Sequence, residues 1–272
     1  MTVPILEIQH MTSGYGSKTI IRDIDLTINA GEIVSIIGPN GSGKTTLLKS
    51  VTGIVRPNKG EILFQGKSIR SISRNEFARQ VAVVGQTVEA ARMTVQEYVL
   101  LGRLPYFRKY QFMETRKDIE LAQYYMELTH TDSLKDQFMH EISGGERQLA
   151  SIARALVQKP ALLLLDEPTS HLDITHQARI LGLIHKLNRE TDLTVLMVVH
   201  DLNLASEYSR RLVLLNKQSG RIHRVGTPAE VLTEAAVREV YNTPVLIEKN
   251  ARSGNPCLFL LPEHHLQESE ND

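Results

Sequence analysis

Residues 33–48 decide the fold; they read Ile-Val-Ser-Ile-Ile-Gly-Pro-Asn-Gly-Ser-Gly-Lys-Thr-Thr-Leu-Leu. The apolar start predicts a short buried strand, and the end predicts the first turn of a helix. Between them, Gly38, Gly43, Lys44 and Thr45 fit the pattern G-x-x-x-x-G-K-[ST], which is typical of a phosphate-binding loop. Because the pattern lies between a strand and a helix, as such a loop requires, we interpret it as functional rather than as a glycine-rich turn that matches by chance.

The residue types of this loop suit the binding of a phosphate group. Glycines adopt backbone conformations that let several N–H groups point at one anion, and the N-terminus of the following helix adds a positive dipole. Lys44 would reach the outer phosphates, and the Thr45 hydroxyl would hold Mg²⁺. The candidate phosphate-binding residues are Gly38, Pro39, Asn40, Gly41, Ser42, Gly43, Lys44, Thr45 and Thr46.

Length and composition limit the classes of protein to which the chain can belong. It has 272 residues, of which 42% are hydrophobic, and this suits one large domain or two small ones. Lys plus Arg and Asp plus Glu both number 31, which argues against a strongly basic nucleic-acid binder. No apolar run approaches the roughly 20 residues that span a bilayer, the start lacks a signal peptide, and Cys257 is the single cysteine. We therefore expect a cytosolic protein.

Hydrophobic patterns on both sides of the loop predict an α/β fold. Alternating apolar residues between 3 and 30 predict a half-exposed antiparallel sheet, whereas wholly apolar runs at 81–84, 161–165 and 194–199 predict buried strands. Residues 87–160 instead show helical spacing without intervening strands. We expect a phosphate-loop NTPase core with a mixed sheet, an N-terminal antiparallel β subdomain and an inserted α-helical subdomain.

The same patterns suggest domain boundaries and two further helices. The main domain is expected at residues 3–240, followed by a short C-terminal extension at 241–262. The polar and acidic composition of 263–272 predicts a disordered tail. Helices are predicted at 94–102 and near 228–240.

Polar side chains follow two of the predicted buried strands. Asp166 and Glu167 come directly after one strand, and His200 follows another. Ligands of open α/β sheets bind at the carboxyl ends of the strands. In a chain with a phosphate loop, an Asp-Glu pair at such an end is typical of a Mg²⁺-linked carboxylate and a base for water. His200 alone would be interpreted as a structural histidine, but its position favours a functional role.

Two further segments carry candidate residues for which alternatives stay open. Ser143, Gly144, Gly145 and Glu146 have the spacing of a capping box, so a well-capped helix would explain them. The two glycines, however, leave the helix N-terminus open to an anion. Tyr15 either packs against its neighbours or offers a platform for a nucleotide base.

Together and in this order, the motifs resemble the ATP-binding-cassette family of transport ATPases over about residues 3–240. Within that resemblance, Gln86 follows a strand as the family's glutamine-loop residue does. Ser143–Glu146 looks like the signature motif, with Ile142 where leucine is usual. Residues 170–173, which end in Asp173, are similar to the loop that crosses the dimer.

The resemblance implies ATP and Mg²⁺ as cofactors and a role for each candidate residue. Glu167 would polarise the attacking water, His200 would hold the γ-phosphate and that water, and Lys44 completes the implied catalytic set. The implied Mg²⁺ ligands are Thr45, Gln86 and Asp166, the last through a water molecule. Besides residues 38–46, the implied ATP-binding residues are Tyr15, which would stack on adenine, and Gln86, Ser143, Gly144, Gly145, Glu146, Asp173 and His200.

The resemblance also implies partners. ATP would be hydrolysed in a head-to-tail dimer, in which Ser143–Gly145 of the second copy closes over the γ-phosphate. One cassette without a membrane span implies two transmembrane permease subunits, an extracytoplasmic substrate-binding protein that acts indirectly, and a place at the cytoplasmic face of the cell membrane. Cassette ATPases of DNA repair and chromosome organisation carry long coiled coils, and those of translation usually carry two cassettes. Neither feature is present, so transport without a nucleic-acid partner is expected.

The direction and cargo of transport rest on one segment. Residues 94–106 resemble the helical insert of ATPases that serve importers of iron–siderophore complexes, haem and vitamin B12. In those importers a groove beside this insert receives a helix of the membrane subunit, so we expect Arg103, Pro105 and Tyr106 at or close to that contact. The alternative without a partner contact is that Gly102–Pro105 only ends the helix and forms a turn. Import of an oxyanion such as molybdate or tungstate is the alternative function.

Overall fold

The computed structural model describes residues 3–86, 92–170 and 172–261. The chain forms two compact units. The first unit comprises the residues up to Glu7, Thr27–Glu32 and Ile62–Met197. The second unit comprises Ile8–Leu26, Ile33–Glu61 and the residues from Val198 onwards. Within the described ranges, no helix combines the length and the apolar character that crossing a membrane would need.

Strands and helices alternate through much of the chain. The strands are β1 (Leu6–Tyr15), β2 (Lys18–Ile28), β3 (Ile33–Ile37), β4 (Lys59–Phe64), β5 (Lys67–Ser68), β6 (Val81–Val84), β7 (Leu162–Asp166), β8 (Thr194–Val198), β9 (Arg211–Asn216), β10 (Arg221–Gly226), β11 (Val245–Lys249) and β12 (Pro256–Leu260). The α-helices are α1 (Lys44–Val51), α2 (Arg74–Gln80), α3 (Val95–Leu100), α4 (Arg116–Leu128), α5 (Gly144–Leu156), α6 (Ile174–Thr191), α7 (Leu202–Tyr208), α8 (Pro228–Val231) and α9 (Glu234–Tyr241). Leu101–Tyr106 and Asp132–Leu134 are 3₁₀ helices.

The sheets confirm the predicted fold class. An N-terminal antiparallel sheet has the strand order β2-β1-β4-β5. In the second unit, β3 pairs parallel with β9, and β9 pairs antiparallel with β10, so this sheet is mixed as predicted. In the first unit, β8, β7 and β6 are neighbours, and β6 runs parallel to β7.

The phosphate loop follows a strand that is buried in the sheet. All five residues of β3 are buried, as are the four inner residues of β9 beside it. A strand that is buried on both faces reads as a continuous apolar run, which is why residues 33–37 show no alternation. The chain leaves the carboxyl end of β3 directly into the phosphate loop and α1.

The described part of 92–160 is helical and contains no strand, in line with the predicted helical segment; the exact boundaries of the subdomain stay a prediction. Helices α3, α4 and α5 share an apolar cluster that includes Val99, Met126, Met139 and Ala153. Capping boxes begin all three helices, at Thr94, Thr115 and Ser143. Each such cap is worth about 1 kcal/mol, which stabilises short helices that carry several polar residues.

Two predicted helices differ from the structure, and one hairpin was not predicted. The helix predicted at 94–102 ends at Leu100 and continues as a 3₁₀ helix, which includes Pro105. The helix predicted near 228–240 is two helices, because Thr233 caps α9 after only four residues of α8. The hairpin of β11 and β12 was not predicted at all. The predicted disordered tail at 263–272 lies outside the described residues.

Candidate nucleotide-binding site

The phosphate loop lies in the second unit, between β3 and α1. Gly43 has φ +98°, a conformation that favours glycine, and a Cβ atom there would collide with the side chain of Ile21. A Cβ atom at Gly38 would lie 2.7 Å from the carbonyl oxygen of Leu215. Both glycines of the pattern are therefore required by the packing of the loop itself, before any ligand is considered.

Lys44 is directed into the loop. Lys44 is only 5% exposed. Its Nζ atom donates hydrogen bonds to the carbonyl oxygens of Gly38 at 2.8 Å and Pro39 at 3.2 Å. A buried ammonium group of this kind suits a loop that binds phosphate, because a cation close to the phosphates stabilises their negative charge. The loop thus presents a cation where the pattern predicts phosphate.

Ser42 supplies a second sign of a ligand. Its Oγ atom is buried and has no hydrogen-bond partner within the described ranges. Buried hydroxyl groups are nearly always hydrogen-bonded, so an orphan at this position suits a loop that closes around phosphate oxygens. The helix α1 begins at Lys44, and the positive end of its dipole adds to the same anion site.

Tyr15 and His200 are the remaining predicted residues of the second unit. Tyr15 ends β1 and is 49% exposed, so packing does not account for much of its ring, and the alternative of a platform for a base is favoured. His200 is exposed and is separated from the end of β8 by Val199 alone. The next residue, Asp201, caps α7 by accepting from the N–H groups of Asn203 and Leu204.

In the first unit, the ends of β6 and β7 bring two predicted residues together. The parallel register pairs Val84 with Leu165, so the residues two positions further on meet at one edge. There the Gln86 Nε2 atom donates to Glu167 Oε2 at 2.7 Å. Glu167 has φ +55°, which is uncommon for a residue with a side chain and is typical of functional positions.

Asp166, the other predicted acid, is the last residue of β7 and is partly buried. In the first unit, Asp166 and Gln86 offer carboxylate and amide oxygens, and in the second unit Thr45 offers a hydroxyl. Each of these oxygen donors is of the type that Mg²⁺ prefers, so the residue types fit the metal that the sequence implies.

The predicted capping box at α5 is confirmed. The Ser143 Oγ atom accepts from the N–H of Glu146 at 3.3 Å, and the N–H of Ser143 donates to the Glu146 carboxylate at 2.8 Å. Hydrogen bonds to the Glu146 carboxylate from the Ser143 side chain and from the Ser143 backbone N–H hold the pKa of Glu146 below its ordinary value. Gly144 is exposed and Gly145 is buried. Asp173 caps α6 by accepting from the N–H of His176 at 2.8 Å.

The predicted site residues thus divide between the two units. The second unit holds Tyr15, the phosphate loop and His200. The first unit holds Gln86, Ser143–Glu146, Asp166, Glu167 and Asp173. His171, in the segment likened to the loop that crosses the dimer, lies outside the described residues.

Two residues beside the phosphate loop were missed by the sequence analysis. The Lys217 side chain approaches Gly41, with its Cε atom 3.4 Å from the position that a Cβ atom would take there. The Tyr241 hydroxyl is buried without a hydrogen bond of normal geometry among the described residues. Burial raises the pKa of Tyr241, while the nearby backbone of Gly38 acts in the opposite direction. Both residues are about two hundred positions from the loop in sequence, so no local pattern could reveal them.

Arg103 was expected at or close to a membrane-subunit contact, which stays a prediction; the structure shows that its side chain also has partners within the first unit. Its side chain is 11% exposed, and its Nε atom donates to Asp118 at 2.8 Å. A second hydrogen bond runs to the carbonyl oxygen of Val157, and the guanidinium group lies 3.9 Å from the ring centre of Tyr106. Arg103 therefore joins the helices of the first unit, and only a small part of its side chain is exposed.

Comparison with known proteins agrees with this geometry. A family model described as ABC transporter matches residues 21–170. The iron(3+)-hydroxamate import ATP-binding protein FhuC of Bacillus subtilis is 37% identical over 255 residues, which cover 93% of this chain and 94% of the relative. The ferric enterobactin transport ATP-binding protein FepC of Escherichia coli is also 37% identical over 255 residues and covers 93% of both chains.

Solved structures are similar over most of the chain as well. An inward-facing transporter, described as of the metal-chelate type, has a TM-score of 0.84 at 25% identity and covers 97% of this chain and 99% of its own. A dimeric ATP-binding cassette, solved in a post-hydrolysis state with ADP and Pi, has a TM-score of 0.71 at 27% identity and covers 82% and 98%.

Proposed function

The chain belongs to the ABC transporter family, and on that premise we propose that it is the ATP-hydrolysing subunit of a membrane importer for a metal chelate. An iron–siderophore complex is the first choice of cargo, with haem and cobalamin in the same class. The observation that carries this choice is the match of relatives such as FhuC and FepC over more than nine tenths of the chain.

The phosphate loop supports the binding half of this activity. The Lys44 ammonium, which lies at the carbonyl oxygens of Gly38 and Pro39, binds the β- and γ-phosphates of ATP. The N–H groups at the start of α1 and the Ser42 hydroxyl complete the phosphate contacts. The exposed ring of Tyr15 stacks on adenine.

The acids at the end of β7 support the chemical half. Glu167 orients the attacking water and accepts its proton, and Gln86 holds the Glu167 carboxylate through the 2.7 Å hydrogen bond. Thr45, Gln86 and, through a water molecule, Asp166 would hold Mg²⁺, which would neutralise charge on the phosphates. His200 contacts the γ-phosphate and the water.

Two copies of the chain form the working unit. We assign the Ser143–Glu146 segment and Asp173 to contacts with the nucleotide of the second copy, an assignment supported by the related cassette that is dimeric with ADP and Pi. The dimer associates with two permease subunits at the cytoplasmic face of the membrane. ATP favours the closed dimer and hydrolysis favours the open one, so this difference in binding moves the permease. An extracytoplasmic binding protein delivers the cargo and does not touch this subunit.

Uptake by the reconstituted transporter tests the proposal. The permease that co-purifies with the chain is placed in vesicles, and import of ferric hydroxamate or ferric enterobactin is measured with radiolabelled iron. We expect ATP-dependent uptake by the parent and none by the Lys44→Ala variant. If ATPase activity is stimulated by a molybdate or tungstate system and by no chelate system, the oxyanion alternative replaces this proposal.

A further inference from the structure

His176 lies in the first turn of α6 and binds the aspartate that caps this helix. Its Nδ1 atom is 3.0 Å from both carboxylate oxygens of Asp173, and its backbone N–H donates to Oδ1 at 2.8 Å. A carboxylate accepts hydrogen bonds, so Nδ1 carries the proton in this arrangement. These hydrogen bonds, backbone first, hold the pKa of Asp173 below its ordinary value. His176 therefore provides the main hydrogen bonds that orient the Asp173 carboxylate, with the backbone of Thr175 as a weaker contributor.

The other edge of the same ring lies against the segment that begins α5. A Cβ atom at Gly145 would lie 2.7 Å from both Cγ and Nε2 of His176, which is too close for any side chain. The imidazole ring thus occupies the space that a side chain at Gly145 would fill. Glu146, the neighbour of Gly145, also interacts electrostatically with His176. Its hydrogen bonds with Ser143 have the larger effect on its pKa.

We propose that His176 is a positioning residue that joins the Asp173 carboxylate to the Gly145 turn, so that the two segments engage the second copy of the chain as one rigid element. The inference rests on the proposed function, which assigns both segments to the ATP-bound dimer. It adds a residue to which that assignment gives no role. His176 acts through Asp173 and Gly145 and does not itself contact nucleotide.

This arrangement has a mechanical consequence. If the ring is absent, Asp173 keeps its backbone cap but loses the side-chain donor that orients its outer oxygen. Gly145 then faces an empty space in place of a packed ring. Each segment can move independently, and misplacement by about 1 Å is enough to slow a reaction that depends on exact geometry by up to about a hundredfold. Binding of ATP to a single copy depends on the phosphate loop and stays unchanged.

Kinetics of the purified full chain test the role of the ring. For His176→Ala we expect kcat for ATP hydrolysis to fall about tenfold while the Kd for ATP changes less than about twofold. His176→Asn should recover most of kcat, because its amide N–H can donate to Asp173. In the Glu167→Gln background, His176→Ala should weaken ATP-dependent dimerisation by a similar factor. His185→Ala is the matched control, since it removes a histidine from the same helix outside this contact, and it should leave kcat and Kd unchanged.

A double-mutant cycle tests the contact between the ring and Gly145. Gly145→Ala forces the ring away from its place, so adding His176→Ala to that variant should lower kcat by less than about twofold instead of tenfold. Two other results would overturn the inference: an unchanged kcat for His176→Ala below its melting temperature, or equal activities of His176→Ala and His176→Asn. If the parent chain itself fails to hydrolyse ATP, the proposed function is wrong, whereas a hydrolysing parent with an indifferent His176 refutes only this inference.

Discussion

Replacing Arg103 by methionine should destabilise the helices of the first unit far more than replacing an ordinary surface arginine. The Arg103 guanidinium group donates to Asp118 at 2.8 Å and to the carbonyl oxygen of Val157 at 2.9 Å. Both charged side chains of the pair are about one tenth exposed. Methionine retains the apolar stem but removes every donor, so the Asp118 carboxylate stays buried with only part of its compensation.

The size of the effect follows from these contacts. Removing one partner of a buried ion pair costs about 3–5 kcal/mol, because the other charge is left uncompensated. Thr115 still donates to Asp118 from its backbone N–H and its hydroxyl, which places the loss at the lower end of that range. The orphaned carbonyl oxygen of Val157 adds roughly 1 kcal/mol. We therefore expect a loss of about 3–4 kcal/mol in the free energy of unfolding.

Urea unfolding followed by circular dichroism measures this loss, and α4, the helix that contains Asp118, provides a control. Arg116 also pairs with an acid, Glu120, at 3.0 Å, but the two side chains are 94% and 64% exposed. An exposed pair of this kind contributes about 0.5 kcal/mol or less, so Arg116→Met should shift the midpoint very little. Equal shifts for Arg103→Met and Arg116→Met would refute the reasoning. Lost uptake in an Arg103 variant would then have to be explained by a contact with the membrane subunit after all.

Three further predictions concern the site and the same ion pair. Lys44→Ala should lower ATP affinity by at least about tenfold and abolish turnover, because the outer phosphates lose their cation; an equilibrium binding assay and phosphate release measure these. Glu167→Gln should retain ATP binding but hydrolyse at least about a hundredfold more slowly and collect as an ATP-bound dimer in light scattering, whereas parental turnover would show that Glu167 is not the base. Burial would raise the pKa of Asp118, but hydrogen bonds from Thr115 and Arg103 outweigh it and hold the pKa below 3.8. The stabilisation by this pair should therefore be complete above that pH and be lost as pH falls through the lowered pKa, and acid titration of the parent against Arg103→Met checks the sign.

Features set by neighbouring residues could be predicted from the sequence. The phosphate loop is a run of consecutive residues whose glycines serve the local turn, and its pattern revealed both the strand before it and the helix after it. The capping box of Ser143 and Glu146 spans four residues and has the predicted hydrogen bonds. In both cases the pattern is a short run of consecutive residues, so the spacing of residue types alone identifies it.

Features set by distant residues could not be predicted in the same way. The Arg103 side chain looked like a surface charge because its partners, Asp118 and Val157, are 15 and 54 residues away. The hairpin of β11 and β12 has a connection of six residues, 250–255, which lacks the two-residue turn by which hairpins are recognised. The contact of His176 with Gly145 likewise depends on how two helix ends meet.

Glu167 shows where these two kinds of information combine. The sequence places it after a buried strand, and the parallel register of β6 and β7 explains why Gln86 reaches the same edge. Neither pattern specifies its φ of +55°, which costs on the order of 1–3 kcal/mol for a residue with a side chain. Such a conformation persists only where its surroundings fix it, and here Ser170 donates to the Glu167 carbonyl oxygen from both its N–H and its hydroxyl, while Gln86 holds the carboxylate. Because backbone and side chain are both held, the carboxylate is oriented before substrate arrives, which is the property that a base for water requires.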